Sequence, residues 1–89
     1  MPLHYELAQN YPNPFNPKTT IRFVLPQSEY VTLKIYNVLG KEVDKLIDDF
    51  RPAGEFKVEW DVSNVASGLY FYTLKAGNFE QTRKLIVQR

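Results

Sequence analysis

Asn10-Tyr11-Pro12-Asn13-Pro14-Phe15-Asn16-Pro17 is a segment in which three prolines fall within six residues. Each proline holds φ at about −65° and removes a backbone hydrogen-bond donor. The residue before each proline is driven out of the helical region. This segment, the lead-in (residues 10–17), is therefore neither a helix nor a central strand. We expect a stiff, extended turn that serves either as a structural clasp or as a recognition epitope.

Around the lead-in, apolar and polar residues alternate in short runs separated by turn residues. Alternation with period two is typical of half-buried strands. It predicts strands at residues 4–7, 18–25, 30–38, 55–60, 68–75 and 79–88. Turns are predicted by proline and glycine at 26–29, 37–40 and 51–54, and by Gly77-Asn78, which is typical of a tight hairpin.

Residues 41–50 are ambiguous, because Val43, Leu46, Ile47 and Phe50 recur at helical spacing. The flanking turn signals favour an irregular or bulged strand, and a short amphipathic helix is the alternative. With this strand, the sequence predicts an all-β fold: a seven-stranded antiparallel β-sandwich of the immunoglobulin or fibronectin type III kind. Residues 1–89 are expected to form one domain.

The alternation also predicts which side chains face the core. We expect Trp60, the tyrosines Tyr70 and Tyr72, and Leu74 to point inward. In the last strand we expect Phe79, Leu85 and Val87 inward, with Gln81 and Arg83 outward. Sugar stacking on the tyrosines is the alternative to core packing.

Composition excludes several classes of function. The chain has 89 residues, 11 Lys+Arg against 10 Asp+Glu, and no cysteine. Near-balanced charge gives no basic surface for nucleic acid, and without cysteine there is no disulfide or thiolate site. No window is long and apolar enough for a membrane span, and the first residues lack the apolar region of a secretory signal peptide.

Residues that could carry chemistry are few. His4 is the only histidine, and none of Ser28, Ser63 and Ser67 has the context of a catalytic nucleophile. Asp44, Asp48 and Asp49 resemble half of a glycosidase or calcium site, but a solvated acidic face accounts for them more simply. We expect no enzymatic activity, metal or cofactor. Arg83, Lys84 and Arg89 make the last strand basic, either as edge protection or as a docking strip.

A family resemblance rests on several motifs in order: the lead-in, Thr19-Thr20-Ile21-Arg22-Phe23, the run Ile35-Tyr36-Asn37-Val38-Leu39-Gly40-Lys41-Glu42-Val43, Trp60-Asp61, Ser67-Gly68-Leu69-Tyr70-Phe71-Tyr72 and Gln81-Thr82-Arg83-Lys84-Leu85-Ile86-Val87. Together they closely resemble the type A C-terminal sorting domains of the type IX secretion system. The chain also resembles the immunoglobulin-like domain of flagellar hook capping proteins. The short 61–67 connection favours the sorting domain.

The resemblance implies an address label at the end of a larger cargo protein in a Gram-negative bacterium. It implies transit through the periplasm and delivery to the cell surface or beyond, without insertion of the domain in a membrane. The implied partners are the type IX translocon, an outer-membrane β-barrel shuttle and a sortase-like surface peptidase. The sorting domain itself is expected to be a monomeric module. A carbohydrate-binding or flagellar-hook-cap-like protein-interaction module is the alternative.

The resemblance also implies a set of signature residues, which are Pro12, Asn13, Pro14, Phe15, Gly68, Tyr70, Arg83, Lys84, Leu85 and Val87. Several of them also have structural explanations. Gly68 suits a tight turn, and Tyr70 suits a core position with its hydroxyl bonded to backbone, as in a tyrosine corner. Whether each is read by a partner or shapes the fold stays open at this point.

Overall fold

A computed structural model describes residues 4–12, 17–63 and 65–88. Its strands are β1 (Glu6–Leu7), β2 (Lys18–Leu25), β3 (Glu29–Asn37), β4 (Glu42–Arg51), β5 (Gly54–Asp61), β6 (Gly68–Ala76) and β7 (Phe79–Val87). No helix occurs among the described residues. The predicted all-β, seven-stranded architecture is confirmed, and its strand boundaries are correct to within two residues.

The strands form two antiparallel sheets that pack face to face. The three-stranded sheet has the order β1-β2-β5, and the four-stranded sheet has the order β4-β3-β6-β7. β4 pairs with β3, whereas the constant-type immunoglobulin fold places its fourth strand in the opposite sheet. The sandwich is therefore of the fibronectin type III kind, one of the two predicted alternatives.

The sandwich has two distinct ends along its longest dimension, 38 Å. At one end, here the N-terminal end, His4 lies with the turns at 26–28, 52–53 and 77–78. At the other, the C-terminal end, the described lead-in residues lie with the connections at 38–41 and 62–67 and with Gln88. The lead-in and the last residues of β7 therefore share one end of the molecule.

The core lies between the sheets and is built from inward-facing residues of every strand. Trp60, Tyr72 and Phe23 are its largest fully buried side chains. Phe56 stacks on Phe23 with ring centroids 5.2 Å apart. Burial of such apolar surface is the main favourable term in folding. The core comprises Leu7, Ile21, Phe23, Leu25, Val31, Leu33, Ile35, Ile47, Trp60, Val62, Tyr70, Tyr72, Leu74, Ala76, Leu85 and Val87.

Residues 42–51 form a bulged strand, as expected, rather than a helix. The β3–β4 register passes from Leu33↔Ile47 to Lys34↔Lys45 and later skips from Asp44 to Glu42. Two residues of β4, Leu46 and Val43, therefore have no register partner. Each extra residue reverses the inward–outward alternation, and this produced the apparent helical spacing. Ile47 is buried, whereas Val43 and Phe50 are exposed.

The expected orientation of two β7 residues is wrong. Strand periodicity places Gln81 and Arg83 on the same face as Phe79, Leu85 and Val87, and all five are half-buried or buried. Arg83 is the register partner of Tyr72, a core residue. Its polar character suggested an outward position, but a long side chain can cross an apolar surface and place its guanidinium at the rim.

Candidate recognition site

The last strand is joined to the start of the chain by side-chain hydrogen bonds that cross between the two sheets. Arg83 Nε donates to the Leu7 carbonyl at 2.6 Å, and the Tyr72 hydroxyl donates to the Ala8 carbonyl at 2.7 Å. Gln9 Nε2 donates to the Lys84 carbonyl at 2.7 Å. We call these three hydrogen bonds the seam. They join β1 and the two residues after it to β6 and β7 of the other sheet, with which β1 shares no backbone ladder.

The seam supplies hydrogen-bond donors to the backbone carbonyls of Leu7 and Ala8. The amide of Ala8 donates to Arg22 of β2 at 2.9 Å. The carbonyls of Leu7 and Ala8 are instead served by side chains of the opposite sheet. A buried carbonyl without a donor is costly. Arg83 and Tyr72 therefore act as structural partners of the chain start.

The seam continues into the lead-in through a buried amide. Asn10 Nδ2 donates to the Pro12 carbonyl at 3.1 Å and to Thr19 Oγ1 at 2.9 Å, and Thr19 Oγ1 donates to the same Pro12 carbonyl at 3.0 Å. The backbones of Tyr11 and Thr20 exchange two further hydrogen bonds. Asn10 and Thr19 are both buried. The first described proline is thus held by the start of β2, as a clasp requires.

Asn10, Gln9 and Thr19 were not among the predicted signature residues. One signal was available for Thr19, which has the same strand phase as Ile21, Phe23 and Leu25. A polar residue in an apolar phase predicts a buried hydrogen bond, because a buried hydroxyl without a partner is unfavourable. Gln9 and Asn10 precede the first proline and carry no such periodic signal.

The turn into β6 is a tyrosine corner. Gly68 begins the strand with a φ of 149°, a backbone conformation that residues other than glycine rarely adopt. Two residues later, the Tyr70 hydroxyl donates to the Ala66 carbonyl at 2.8 Å. The Tyr70 ring meets Trp60 edge to face, with centroids 5.9 Å apart. The predicted inward position of Tyr70 and its bond to backbone are both confirmed.

The signature residues separate by exposure. Tyr70, Leu85 and Val87 are buried in the core, and Arg83 belongs to the seam. Pro12, Gly68 and Lys84 are exposed. Asn13, Pro14 and Phe15 lie outside the described residues, as does Arg89 of the basic strip.

The family model for the secretion system C-terminal sorting domain matches residues 9–88, from Gln9 of the seam to the residue after β7. The chain belongs to this sorting-domain family. Its function is that of a C-terminal sorting signal for type IX secretion, which directs export to the cell surface or the extracellular space. No curated protein and no solved structure gave a significant match.

The three aspartates of β4 that could have suggested a glycosidase or calcium site each accept hydrogen bonds from neighbouring side chains. Asp44 accepts a hydrogen bond from Trp60 Nε1 at 2.9 Å, and Asp49 accepts one from Arg51 Nε at 2.8 Å. Asp48 accepts bonds from the Tyr30 hydroxyl and Lys45, and the pKa of its carboxyl is lowered, chiefly by Tyr30. Within the described ranges, no three ligating side chains form a group suited to a metal ion.

The tyrosines of β6 do not offer a sugar-binding platform, because Tyr70 and Tyr72 are buried. Burial raises the pKa of Tyr72 to about 12, although the backbone of Asn10 and the charge of Arg83 oppose the rise. The raised pKa extends the pH range over which the Tyr72 hydroxyl keeps its proton and can donate to Ala8. The part of the sorting domain that the structure describes contains no helix able to span a bilayer.

Proposed function

We propose that residues 1–89 form a single sorting domain and that it is recognised in its folded state. The proposed binding partners are the type IX translocon and an outer-membrane β-barrel shuttle. Both would bind the domain after its cargo has reached the periplasm. A sortase-like surface peptidase is the third proposed partner. In this proposal the domain contributes no catalytic residue of its own.

The seam is the observation that carries this proposal. Arg83 and Lys84 meet Leu7 and Gln9 only when both sheets are in place. A linear peptide containing the same residues would not bring them together. Recognition of the fold therefore accounts for signature residues at both ends of the chain.

Exposure divides the proposed roles of the signature residues. Tyr70, Leu85 and Val87 maintain the fold, because their side chains are buried. Pro12, Gly68 and Lys84 are accessible, and all three lie in the half of the sandwich that is nearer its C-terminal end. We assign direct contact with the export apparatus to this half.

The proposal is tested by fusing the chain behind a signal peptide and a reporter enzyme in a bacterium with type IX secretion. The expected result is surface or extracellular reporter that requires both the translocon and the shuttle. Deleting the gene for either should leave a folded fusion in the periplasm. Periplasmic retention of the folded fusion in the unmodified strain would refute the proposal.

Two variants separate recognition from folding. Removal of residues 84–89 should abolish export, but it also deletes the core residues Leu85 and Val87. Circular dichroism of the truncated domain must therefore accompany it. Tyr70→Phe removes only the hydroxyl bonded to Ala66. We expect this variant to be less stable but still exported, since the hydroxyl is not offered to a partner.

A further inference from the structure

The outer face of the four-stranded sheet is apolar in one region, towards the C-terminal end. Tyr36 pairs in register with Phe71, Phe71 with Lys84, and Leu69 with Ile86. These five residues, here the outer patch, form two neighbouring rows across β3, β6 and β7. Leu69 is 37% exposed and Ile86 is 46% exposed. Outward-facing positions of an antiparallel sheet are commonly polar, so two exposed aliphatic side chains here are unusual.

The outer patch ends sharply where polar residues begin. The next row consists of Lys34, Thr73 and Thr82, with the two threonine hydroxyls hydrogen-bonded at 2.7 Å. The row after it contains Lys75 opposite Glu80. Apolar side chains are thus concentrated towards the C-terminal end of this face, and a separate exposed aromatic pair, Tyr30 and Phe50, lies at its other end. Such clustering on a surface is typical of a binding site.

Lys84 gives the outer patch an uncompensated positive charge. Its cross-strand neighbour is Phe71, and its neighbours along the same face of β7 are Thr82 and Ile86. Among the described residues, no carboxylate forms an ion pair with it. The acidic residue of the same row, Glu42, already pairs with Lys34 at 3.6 Å.

We propose that the outer patch binds an apolar protein surface of the export apparatus that presents a carboxylate to Lys84. This inference rests on the proposed function and assigns it a contact surface. A carboxylate there would neutralise the lysine, while apolar side chains around it would cover Phe71 and Leu69. Complementary charge of this kind fixes the orientation of a partner and accelerates its association.

Two other occupants fit less well. In a symmetric contact between two copies, centred on the patch, both Lys84 side chains would approach each other, and like charges oppose such a contact. Lipid surfaces attract clusters of about four to eight basic residues, but the outer patch contains one lysine. A protein joined upstream of His4 would attach at the opposite end of the sandwich and leave the patch accessible.

The test uses the reporter fusion with matched variants. Lys84→Glu reverses the central charge, Leu69→Gln reduces the apolar area, and Lys84→Arg keeps the charge. Lys57→Glu makes the same charge change at an exposed position of the opposite sheet. We expect Lys84→Glu and Leu69→Gln to lower surface reporter about tenfold or more. Lys84→Arg and Lys57→Glu should match the unsubstituted fusion.

Thermal unfolding of each variant must show a folded domain, so that lost export reports lost contact. Export of folded Lys84→Glu at the unsubstituted level would overturn the outer-patch inference and leave the proposed function standing. Failure of the unsubstituted fusion would instead refute the proposed function, and the inference would fall with it.

The kind of occupant is tested on the isolated 89-residue chain. Light scattering should show a monomer, and sedimentation should show no binding to vesicles of phosphatidylglycerol and phosphatidylcholine. A dimer that Leu69→Gln dissociates would overturn the inference in favour of a second copy. Vesicle binding that Lys84→Glu abolishes would overturn it in favour of lipid.

Discussion

The guanidinium of Arg83 donates a hydrogen bond to the Leu7 carbonyl at 2.6 Å, although 76 positions separate the two residues. Leu7 belongs to the first strand of one sheet and Arg83 to the last strand of the other. A charged donor bonded to a half-buried carbonyl is stronger than a neutral pair. This contact fastens the beginning of the fold to its final strand.

Arg83→Gln is expected to destabilise the domain, because the shorter amide does not reach Leu7. The expected loss in the free energy of unfolding is about 1–2 kcal/mol. Urea unfolding followed by Trp60 fluorescence measures it. Lys84→Gln is the control, since this exposed side chain should change stability by less than about 0.5 kcal/mol. Equal losses for the two variants would contradict the role of the seam.

Asn10→Ala is expected to release the lead-in from β2. The substitution leaves the Pro12 carbonyl with only the Thr19 hydroxyl as a described donor. We expect a loss of about 2 kcal/mol. Hydrogen exchange of the Tyr11 and Thr20 amides should accelerate more than that of the central β3 amides. A double-mutant cycle with Thr19→Val should show coupling, and additive effects would argue against a shared network.

Tyr72 is expected to make the domain sensitive to alkali. Its pKa is about 12 in the folded state, against 10.0 for an unperturbed tyrosine. The unfolded state therefore loses this proton first, so stability is complete below about pH 10 and falls as pH rises towards 12. The loss from this residue should be about 3 kcal/mol.

Urea unfolding at several pH values between 9 and 12, roughly the window of tyrosine ionisation, checks this prediction. Tyr72→Phe should be less stable at neutral pH and should lose less on going to high pH. Some loss will persist, because carboxylates of Glu29 and Asp48 raise the pKa of Tyr5 and Tyr30. An unchanged alkaline slope in Tyr72→Phe would exclude Tyr72 as the cause.

Asp44→Ala is expected to weaken the contact between β4 and β5, the edge strands that face each other on the side of the sandwich away from the seam. It removes the acceptor that Trp60 Nε1 contacts at 2.9 Å. We expect a loss of about 1 kcal/mol and a change in tryptophan emission. Asp49→Ala, which breaks an exposed pair with Arg51, is the matched control and should cost less. Identical responses would count against a specific Asp44–Trp60 contact.

Much of the fold was predictable because it depends on local pattern. Phe56, Trp60, Tyr72 and Leu74 follow period two, and Gly77, with φ of 58°, lies in the expected hairpin turn. The bulges at Val43 and Leu46 were harder to place. Each bulge is set by the partner strand and not by the residues of β4 themselves.

The seam was not predictable in the same way. Residue type suggested that Arg83 points outward, and nothing local indicates that its guanidinium would find Leu7. Gln9 and Lys84 likewise meet only after two sheets have packed. The contacts of the candidate site depend on long-range geometry, although motifs had named Arg83, Lys84 and Tyr70 among its residues.

The seam has a consequence for protein synthesis. β7 is the last of the seven strands to be synthesised, and the carbonyls of Leu7 and Ala8 obtain their seam donors only after Tyr72 and Arg83 have emerged. A chain interrupted before β7 lacks Leu85 and Val87 of the core as well. Such a fragment cannot form the complete fold of the sorting domain. Because the sorting signal is C-terminal, we expect export to depend on complete synthesis of this domain.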